Sequence, residues 1–329
     1  MTTVADFVAT RVVAAQRRLA TVSADALLVA APHHVRYLTG RRPAGELLLT
    51  GGDLLTEPDA IVERLGFPGT GLLAETRHLT AARLRELAPA HANVEDGEWL
   101  LTGLRRHKDA LELELLRRAT ELTGKAVREL ADDDLTGVAE LDLECRLWRS
   151  IRAGGAQGWA FDPSLAGGAR AARPWHGVTT RALERGDVLV ADVGAEVHGY
   201  KADLTRTFVV GGGNPVAGRA LDAVRRARDA ALAALRPGVP AAEVARAVAA
   251  SLSESGFAGR MPHAAGHGIG LELHEAPFLT LRSTDVLDPG TVVNVEPGVY
   301  DPAWGGARLE DTVVIRDDGW EPLGEVTDG

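Results

Sequence analysis

The pattern of apolar positions along the first hundred residues predicts short helices alternating with short strands. Apolar residues recur at helical spacing near the N-terminus, at Val4, Val8, Val12, Ala15 and Leu19. The runs ADALLVAAP and ELLLTGG are continuous and apolar, which is typical of buried strands, whereas LTAARLRELAP is again helical in period. This alternation predicts a small α/β domain over residues 1–104.

The pattern over the rest of the chain, residues 105–329, contains longer helical segments and predicts a second, larger domain. From Asp109 to Leu130 the apolar positions follow one another every three or four residues, so a long amphipathic helix is expected there. Ala-rich helices are predicted over residues 215–235 and 241–255, and the stretch from Leu101 to Lys108 is expected to link the domains. A period of two predicts hairpin strands in DVLVADVGAEVHGYKADLTRTFVVGGG, TVVNVEPGVY and ARLEDTVVIRDDG.

Composition narrows the class of protein. Hydrophobic residues make up 45% and charged residues 25% of 329 positions, which excludes disordered, collagenous and disulfide-scaffold proteins. The net charge of -10 disfavours nucleic acid and anionic membranes as partners. The single cysteine, Cys145, allows no internal disulfide and no cysteine-based zinc site, and the N-terminus lacks a long apolar run. We therefore expect a cytoplasmic protein.

Two aspartates form the first candidate site. Asp192 and Asp203 lie eleven positions apart around His198-Gly199, and a hairpin centred there would place the two carboxylates opposite each other. Directly opposed β-carbons are about 5 Å apart, and two buried carboxylates at that distance repel strongly. Only a proton or a cation relieves the repulsion. Taken singly, each aspartate would be an ordinary strand-end or surface residue.

Two glutamates lie in similar apolar surroundings. Glu296 shares a predicted strand face with Asn294, opposite a face filled by valines, and Glu310 lies in the strand ARLEDTVVI. Arg308 is two residues from Glu310 and points to the same side. A salt bridge from Arg308 to Glu310 or Glu296 would explain these charges as well as a metal would.

Three histidines, His263, His267 and His274, fall within twelve residues, and glycines flank His267. We interpret these glycines as allowing the backbone to approach a ligand. One imidazole beside four carboxylates describes a site for manganese, cobalt, iron or zinc rather than calcium. Four acids and one imidazole suffice for two ions about 3.5 to 4 Å apart. A satisfied polar core or a pH-sensitive histidine network is the alternative.

The sequence resembles the pita-bread metallopeptidases between Asp109 and about Trp320. The resemblance rests on ligand-type residues in order within DVGAEVHGYKADLTRTF, GHGIGLELHEAP, NVEPGVY and GGARLEDT. This family includes Xaa-Pro dipeptidases, aminopeptidase P, methionine aminopeptidases and the metal-free creatinases. The segments HHVRYLTG and LRRHKDALELELLRRATELT are similar to the Xaa-Pro branch. The resemblance implies an α+β fold. Its catalytic domain would be a curved antiparallel sheet covered by helices, preceded in the chain by a smaller N-terminal α/β domain.

The resemblance also implies a dinuclear centre of manganese, cobalt or zinc. Asp192 would bind one ion, Asp203 and Glu310 would bridge both, and His267 and Glu296 would complete the second.

Four further residues match family positions around the substrate. Arg308 would support Glu310, His274 would stabilise the tetrahedral intermediate, His263 would lie near the substrate, and Tyr300 would lie just behind the ligands.

One position departs from the family pattern. Seventeen residues before the first aspartate, where close relatives often carry a histidine, this chain has Trp175. Either His176, one residue later, serves through a shifted loop, or the substrate-binding imidazole is lost. The N-terminal domain is also shorter than is usual in the Xaa-Pro branch.

The resulting hypothesis is hydrolysis of short peptides, most favourably at Xaa-Pro bonds, by hydroxide held between two divalent cations. Glu296 would accept the proton, and His274 would hold the oxyanion. The alternatives are a non-catalytic pita-bread binding protein, a methionine-aminopeptidase-like enzyme and a creatinase-like hydrolase. A homodimer is expected from the family resemblance alone.

Overall fold

The structure is a computed structural model and describes residues 3–66, 71–88, 90–91, 94–131 and 133–324. The chain divides into two units, Met1–Arg106 and His107–Gly329. This division lies close to the boundary expected between residues 104 and 105.

The N-terminal unit is built on one mixed five-stranded sheet. Its helices are α1 (Val4–Leu19), α2 (Pro32–Thr39), α3 (Pro58–Leu65), α4 (Ala81–Leu87) and α5 (Glu98–Arg105). Its strands are β1 (Ala26–Val29), β2 (Leu47–Thr50), β3 (Leu54–Leu55), β4 (Leu72–Ala74) and β5 (Glu95–Asp96), in the order β3-β2-β1-β4-β5. β1 pairs antiparallel with β2 and parallel with β4. The predicted α/β character of this region is confirmed.

The predicted linker is wrong in its first half. Leu101 and Arg105 are buried residues of α5, a helix that begins at Glu98. The continuous chain without helix or strand at this junction is therefore much shorter than the stretch from Leu101 to Lys108.

The second unit contains four helices among the described residues. They are α6 (Ala110–Ala131), α7 (Glu140–Ala153), α8 (Pro215–Ala234) and α9 (Ala241–Glu254). No helix in the described ranges combines the length and apolar composition needed to cross a bilayer.

Fifteen strands accompany these helices in the described part of the second unit. They are β6 (Gly158–Trp159), β7 (Ser164–Gly167), β8 (Val188–Val193), β9 (Ala195–Val197), β10 (Tyr200–Lys201), β11 (Leu204–Val209), β12 (Val239–Pro240), β13 (Gly266–Gly268), β14 (Glu275–Phe278), β15 (Val286–Leu287), β16 (Val292–Val295), β17 (Gly298–Asp301), β18 (Gly305–Arg308), β19 (Asp311–Arg316) and β20 (Gly319–Pro322). The larger sheets have the orders β11-β8-β7, β10-β9-β6 and β14-β13-β16-β19-β20, and the named pairs are antiparallel.

Alternation along the strands separates a helix-covered face from a polar face. Leu189, Ala191 and Val193 of β8 join the core formed with α6 and α7, so Asp192 lies on the opposite face. Val293 and Val295 of β16 join the core formed with α8 and α9. The predicted antiparallel strands covered by helices are confirmed.

The predicted pairing of the two aspartates is wrong by two residues. The turn at His198-Gly199 has φ values of 49° and 87°, a left-handed pair that glycine accommodates at its second position. Tyr200 therefore pairs with Val197, and the register carried along the strands places Thr205 opposite Asp192. Asp203 is diagonal to Asp192 and keeps the same face of the sheet.

Candidate metal centre and active site

The structure brings together the five residues that the sequence analysis proposed as metal ligands. Asp192 lies in β8 and His267 in β13, Asp203 directly precedes β11, Glu296 follows β16, and Glu310 connects β18 to β19. His267 Nε2 is 3.6 Å from Asp203 Oδ2 and 3.8 Å from Glu296 Oε1. The side chain of Glu296 is 13% exposed, and the other four residues are buried.

Two overlapping clusters of donor atoms are present. In the first, one oxygen from each of Asp192, Asp203 and Glu310 lies within 4.8 Å of the other two. In the second, donor atoms of Asp203, His267 and the exposed His274 meet the same limit. Asp203 is common to both clusters.

Arg308 pairs with a different acid from the one expected. Its Nη2 donates to Asp192 Oδ2, in a salt bridge whose two side chains are both buried. Its connection to Glu310 is indirect, because Arg308 Nε donates to Thr205 Oγ1 over 3.0 Å and Thr205 Oγ1 donates to Glu310 Oε2 over 2.8 Å. Arg308 therefore supports Glu310 through Thr205, and its salt bridge is to Asp192 rather than to Glu310 or Glu296.

Two residues that orient Glu310 were missed by the sequence analysis. Thr205 holds one carboxylate oxygen, and Asn294 Nδ2 donates to the other over 2.9 Å. The sequence contains a spacing signal for both residues. Thr205 is two residues from Asp203, and Asn294 is two residues from Glu296, so each follows the period-two spacing of the acids.

The pKa values of three buried acids, Asp203, Glu296 and Glu310, are raised when no cation is present. Burial, with the charges of neighbouring acids, raises the pKa of Asp203 and of Glu296 well above their usual range. Burial and the charge of Asp192 raise the pKa of Glu310 from 4.5 to about 7. Asp192 Oδ1 is buried without a hydrogen-bond partner among the described residues. These oxygens lack the compensation that a bound cation would supply.

His267 presents an unprotonated nitrogen to the acids. Its Nδ1 is 3.0 Å from the Gly268 carbonyl oxygen, which can only accept, so Nδ1 carries the proton and Nε2 faces Asp203 and Glu296. Burial, with the nearby His274, lowers the pKa of His267 to about 4. A neutral imidazole held in this tautomer is a suitable metal ligand.

The glycines beside His267 are required by strand packing, and their role in ligand approach stays a prediction. A β-carbon on Gly266 would lie 2.0 Å from the carbonyl oxygen of Asn294 in β16. A β-carbon on Gly268 would lie 2.6 Å from the carbonyl oxygen of Ala276 in β14. Strand β13, which lies between β14 and β16, therefore needs glycine on both sides of His267.

The other two histidines of the cluster lie on different sides of the site. The His274 ring lies 4.3 Å from the His267 ring, centroid to centroid, and burial lowers the pKa of His274. His263 Nδ1 lies 2.8 Å from the carbonyl oxygen of Ala264, and its Nε2 lies 2.9 Å from Tyr300 Oη. Burial lowers the pKa of His263 to about 4, so the neutral ring accepts a hydrogen bond from the Tyr300 hydroxyl at Nε2.

Trp175, which occupies the position of the family histidine, lies beside the site. Its ring is 6.1 Å from that of His263. The pKa of His176 is lowered by burial and by the charges of Arg170 and Arg173, which places its imidazole near those arginines. The structure therefore does not bring the His176 ring together with the proposed ligands.

The donor set fits a centre for divalent cations. Two ligands on one ion with bonds of about 2.0 to 2.2 Å are separated by roughly 3 to 3.5 Å, close to the 3.6 and 3.8 Å measured around His267. Four carboxylates and the Arg308 guanidinium leave three uncompensated negative charges when all the acids are ionised. Oxygen donors with one imidazole suit manganese, cobalt, iron and zinc.

Comparison with known proteins gives consistent matches. The family model described as metallopeptidase family M24 matches residues 114–317. A Xaa-Pro dipeptidase of Pyrococcus horikoshii is 31% identical over 327 residues, covering 92% of this chain and 93% of the relative. A Xaa-Pro dipeptidase of Pyrococcus furiosus is 36% identical over 225 residues, covering 68% of this chain and 64% of the relative. A solved prolidase structure from Pyrococcus horikoshii superposes with a TM-score of 0.89 at 29% identity, covering 97% and 99% of the two chains.

Proposed function

Because the chain belongs to metallopeptidase family M24, we propose that it is a metal-dependent exopeptidase that hydrolyses short peptides, most favourably at Xaa-Pro bonds. The family and fold expected from the sequence are confirmed. The observation that carries the proposal is the convergence of four carboxylates and one neutral imidazole on a buried polar face. The Xaa-Pro preference is supported by the activities named for the relatives.

We propose that the centre holds two ions of manganese, cobalt or zinc. Asp192, Asp203 and Glu310 would hold one ion, and Asp203, Glu310, His267 and Glu296 the other. The presence of Asp203 in both donor clusters supports this division. Two divalent cations exceed the three uncompensated negative charges by one, which a single hydroxide balances.

The residues around the centre would divide the work of hydrolysis. Divalent ions bound there would lower the pKa of water to about 7 and so supply hydroxide at neutral pH. Glu296 has the most exposed of the five ligand side chains, and its carboxylate would accept the proton of the attacking water. His274, whose pKa is lowered by the partial burial of its ring, would donate an N–H to the scissile carbonyl oxygen as negative charge develops there.

Arg308 would position the site. It holds Asp192 directly, and its Nη1 donates to Tyr300 Oη over 2.7 Å, while Tyr300 in turn donates to His263. One buried guanidinium thus fixes an acid and, through two hydrogen bonds, the His263 imidazole 3.6 Å from Glu296.

We also propose that the protein acts in the cytoplasm as a homodimer. Size-exclusion chromatography with light scattering would test the dimer.

The activity assay uses full-length protein stripped of metal and reloaded with manganese, cobalt or zinc. Xaa-Pro dipeptides, longer Xaa-Pro peptides and Met-Ala peptides are offered in parallel, with Asp203→Asn as the matched control. We expect turnover of Xaa-Pro substrates by the reloaded wild type and none by the variant. Cleavage of Met-Ala peptides alone would favour a methionine aminopeptidase. The absence of turnover with every peptide would overturn the peptidase proposal.

A further inference from the structure

Trp175 exposes a large apolar side chain beside the candidate site. Its relative exposure is 65%, the highest among the large hydrophobic residues in the described ranges. Exposed apolar surface next to a site built from convergent polar groups is a common property of ligand-binding surfaces. The question is therefore which group packs against this exposed indole.

The backbone on both sides of Trp175 is tied to the residues of the metal centre. The carbonyl oxygen of Pro174 accepts a hydrogen bond from Arg308 Nη1 over 3.1 Å. The N–H of His176 donates to Ser164 Oγ over 3.1 Å, and Ser164 is paired with Asp192 across β7 and β8. The main chain that carries the indole is thus fixed by an interaction before it and one after it.

The indole lies on the His263 side of the centre. The two ring centroids are 6.1 Å apart with an interplanar angle of 59°, and His263 Nδ1 is 3.6 Å from Glu296 Oε2. Trp175 is therefore one side chain removed from a proposed ligand and keeps most of its surface free. A flat apolar surface held in this way is preorganised for packing.

We propose that Trp175 determines specificity by packing its indole against the pyrrolidine ring of the prolyl residue that follows the scissile bond. This inference rests on the proposed function and names the surface that selects the substrate. A prolyl residue inside a peptide has no N–H to donate, so its recognition depends on contacts with its ring. Tryptophan offers the largest rigid apolar surface for such contacts.

The first experiment compares two dipeptides that differ only in the second residue, Met-Pro and Met-Ala. Trp175→Ala should lower the ratio of kcat/KM for Met-Pro to kcat/KM for Met-Ala on the order of tenfold, and Trp175→Phe should lower it less. The matched control is Trp148→Ala on α7, where the indole packs against Trp159 and should leave the ratio unchanged. Metal content is measured for each variant, and an unchanged ratio in Trp175→Ala overturns the inference.

A second readout needs no turnover. The difference between the fluorescence of the metal-loaded wild type and that of Trp175→Phe isolates the Trp175 signal, which should respond to added L-proline and not to L-alanine. If the wild type cleaves neither dipeptide but this signal responds to L-proline, the proposed function fails and the role of Trp175 stands. If the wild type is active but the ratio is unchanged in Trp175→Ala, the role of Trp175 alone fails, whatever the fluorescence shows. If both activity and signal are absent, both fail.

Discussion

Removing the metal should make the contribution of Glu310 to the stability of this protein fall as the pH rises. In the metal-free protein, burial and the charge of Asp192 raise the pKa of Glu310 from 4.5 to about 7. Between these two values the folded state binds more protons than the unfolded chain, so the free energy of unfolding decreases with increasing pH. At 1.36 kcal/mol per pKa unit, Glu310 alone contributes a loss of roughly 3 kcal/mol. The pKa values of Asp203 and Glu296 are raised in the same direction.

Bound cations should reverse this loss, because they bind the folded state and neutralise the ionised acids. Protons compete with the cations for the same oxygens, so stabilisation by metal should be large at pH 8 and small at pH 5. A change of roughly 3 kcal/mol corresponds to a shift in Tm on the order of 10 °C for a unit of about 220 residues.

The assay is differential scanning calorimetry of protein treated with chelator, from pH 5 to pH 8, with and without manganese. Glu310→Gln is the matched control, since its amide does not titrate and keeps nearly the same volume. Buried His263 and His267, whose pKa values are lowered to about 4, add stability as the pH rises in both proteins, so only the difference between the two slopes reports Glu310. Relative to the metal-free wild type, the metal-free variant should become more stable between pH 5 and pH 7. Equal slopes for the two proteins would refute the reasoning.

The remaining predictions concern single side chains. Asp203→Asn should lose bound metal and activity together, measured by elemental analysis and peptide hydrolysis; a metal-replete variant would remove Asp203 from the bridging position. Arg308→Met leaves Asp192 buried without its cation and should lower the free energy of unfolding of the metal-free protein by about 3 to 5 kcal/mol in urea titrations; a loss below about 1 kcal/mol would contradict that pairing. His274→Ala should lower kcat on the order of a hundredfold at unchanged metal content, and an unchanged kcat would exclude it from catalysis. His176→Ala should leave the rate unchanged, and a large loss would restore the shifted-loop hypothesis.

Helix length explains only part of which helices could be predicted from the sequence, because the seven-residue α4 was predicted from LTAARLRELAP. The pattern over residues 109–130 predicted α6 because a helix of 22 residues repeats its apolar face many times. α2 and α3 have eight residues each, so their apolar positions repeat too few times to establish a period. α7 was also missed, although its buried apolar residues Leu143, Leu147 and Ile151 are spaced by four. That spacing is a helical signal, and the omission was an error of interpretation.

The kinds of residue in the site could be predicted, but not their partners. Acids on apolar strands and a histidine between glycines are visible in the sequence because each contradicts its surroundings. The partner of Arg308 depends on distances between strands, and four acids were available to it. Arg308 pairs with Asp192, far away in sequence, rather than with the nearby Glu310. The role of Thr205 was missed because a threonine is an ordinary residue on a strand, so its spacing of two from Asp203 was the one signal of its role.

The error in pairing the two aspartates left the conclusion about the site intact for a geometrical reason. Side chains along a strand alternate between faces with a period of two, so a register shift of two residues exchanges partners but preserves the face. Asp203 therefore stays on the face of Asp192 although Thr205 is the residue opposite Asp192. A shift of one residue would have turned Asp203 toward the core beneath α6 and separated the acids. The convergence of the acids thus depends on the parity of the hairpin register, which the two-residue turn at His198-Gly199 sets.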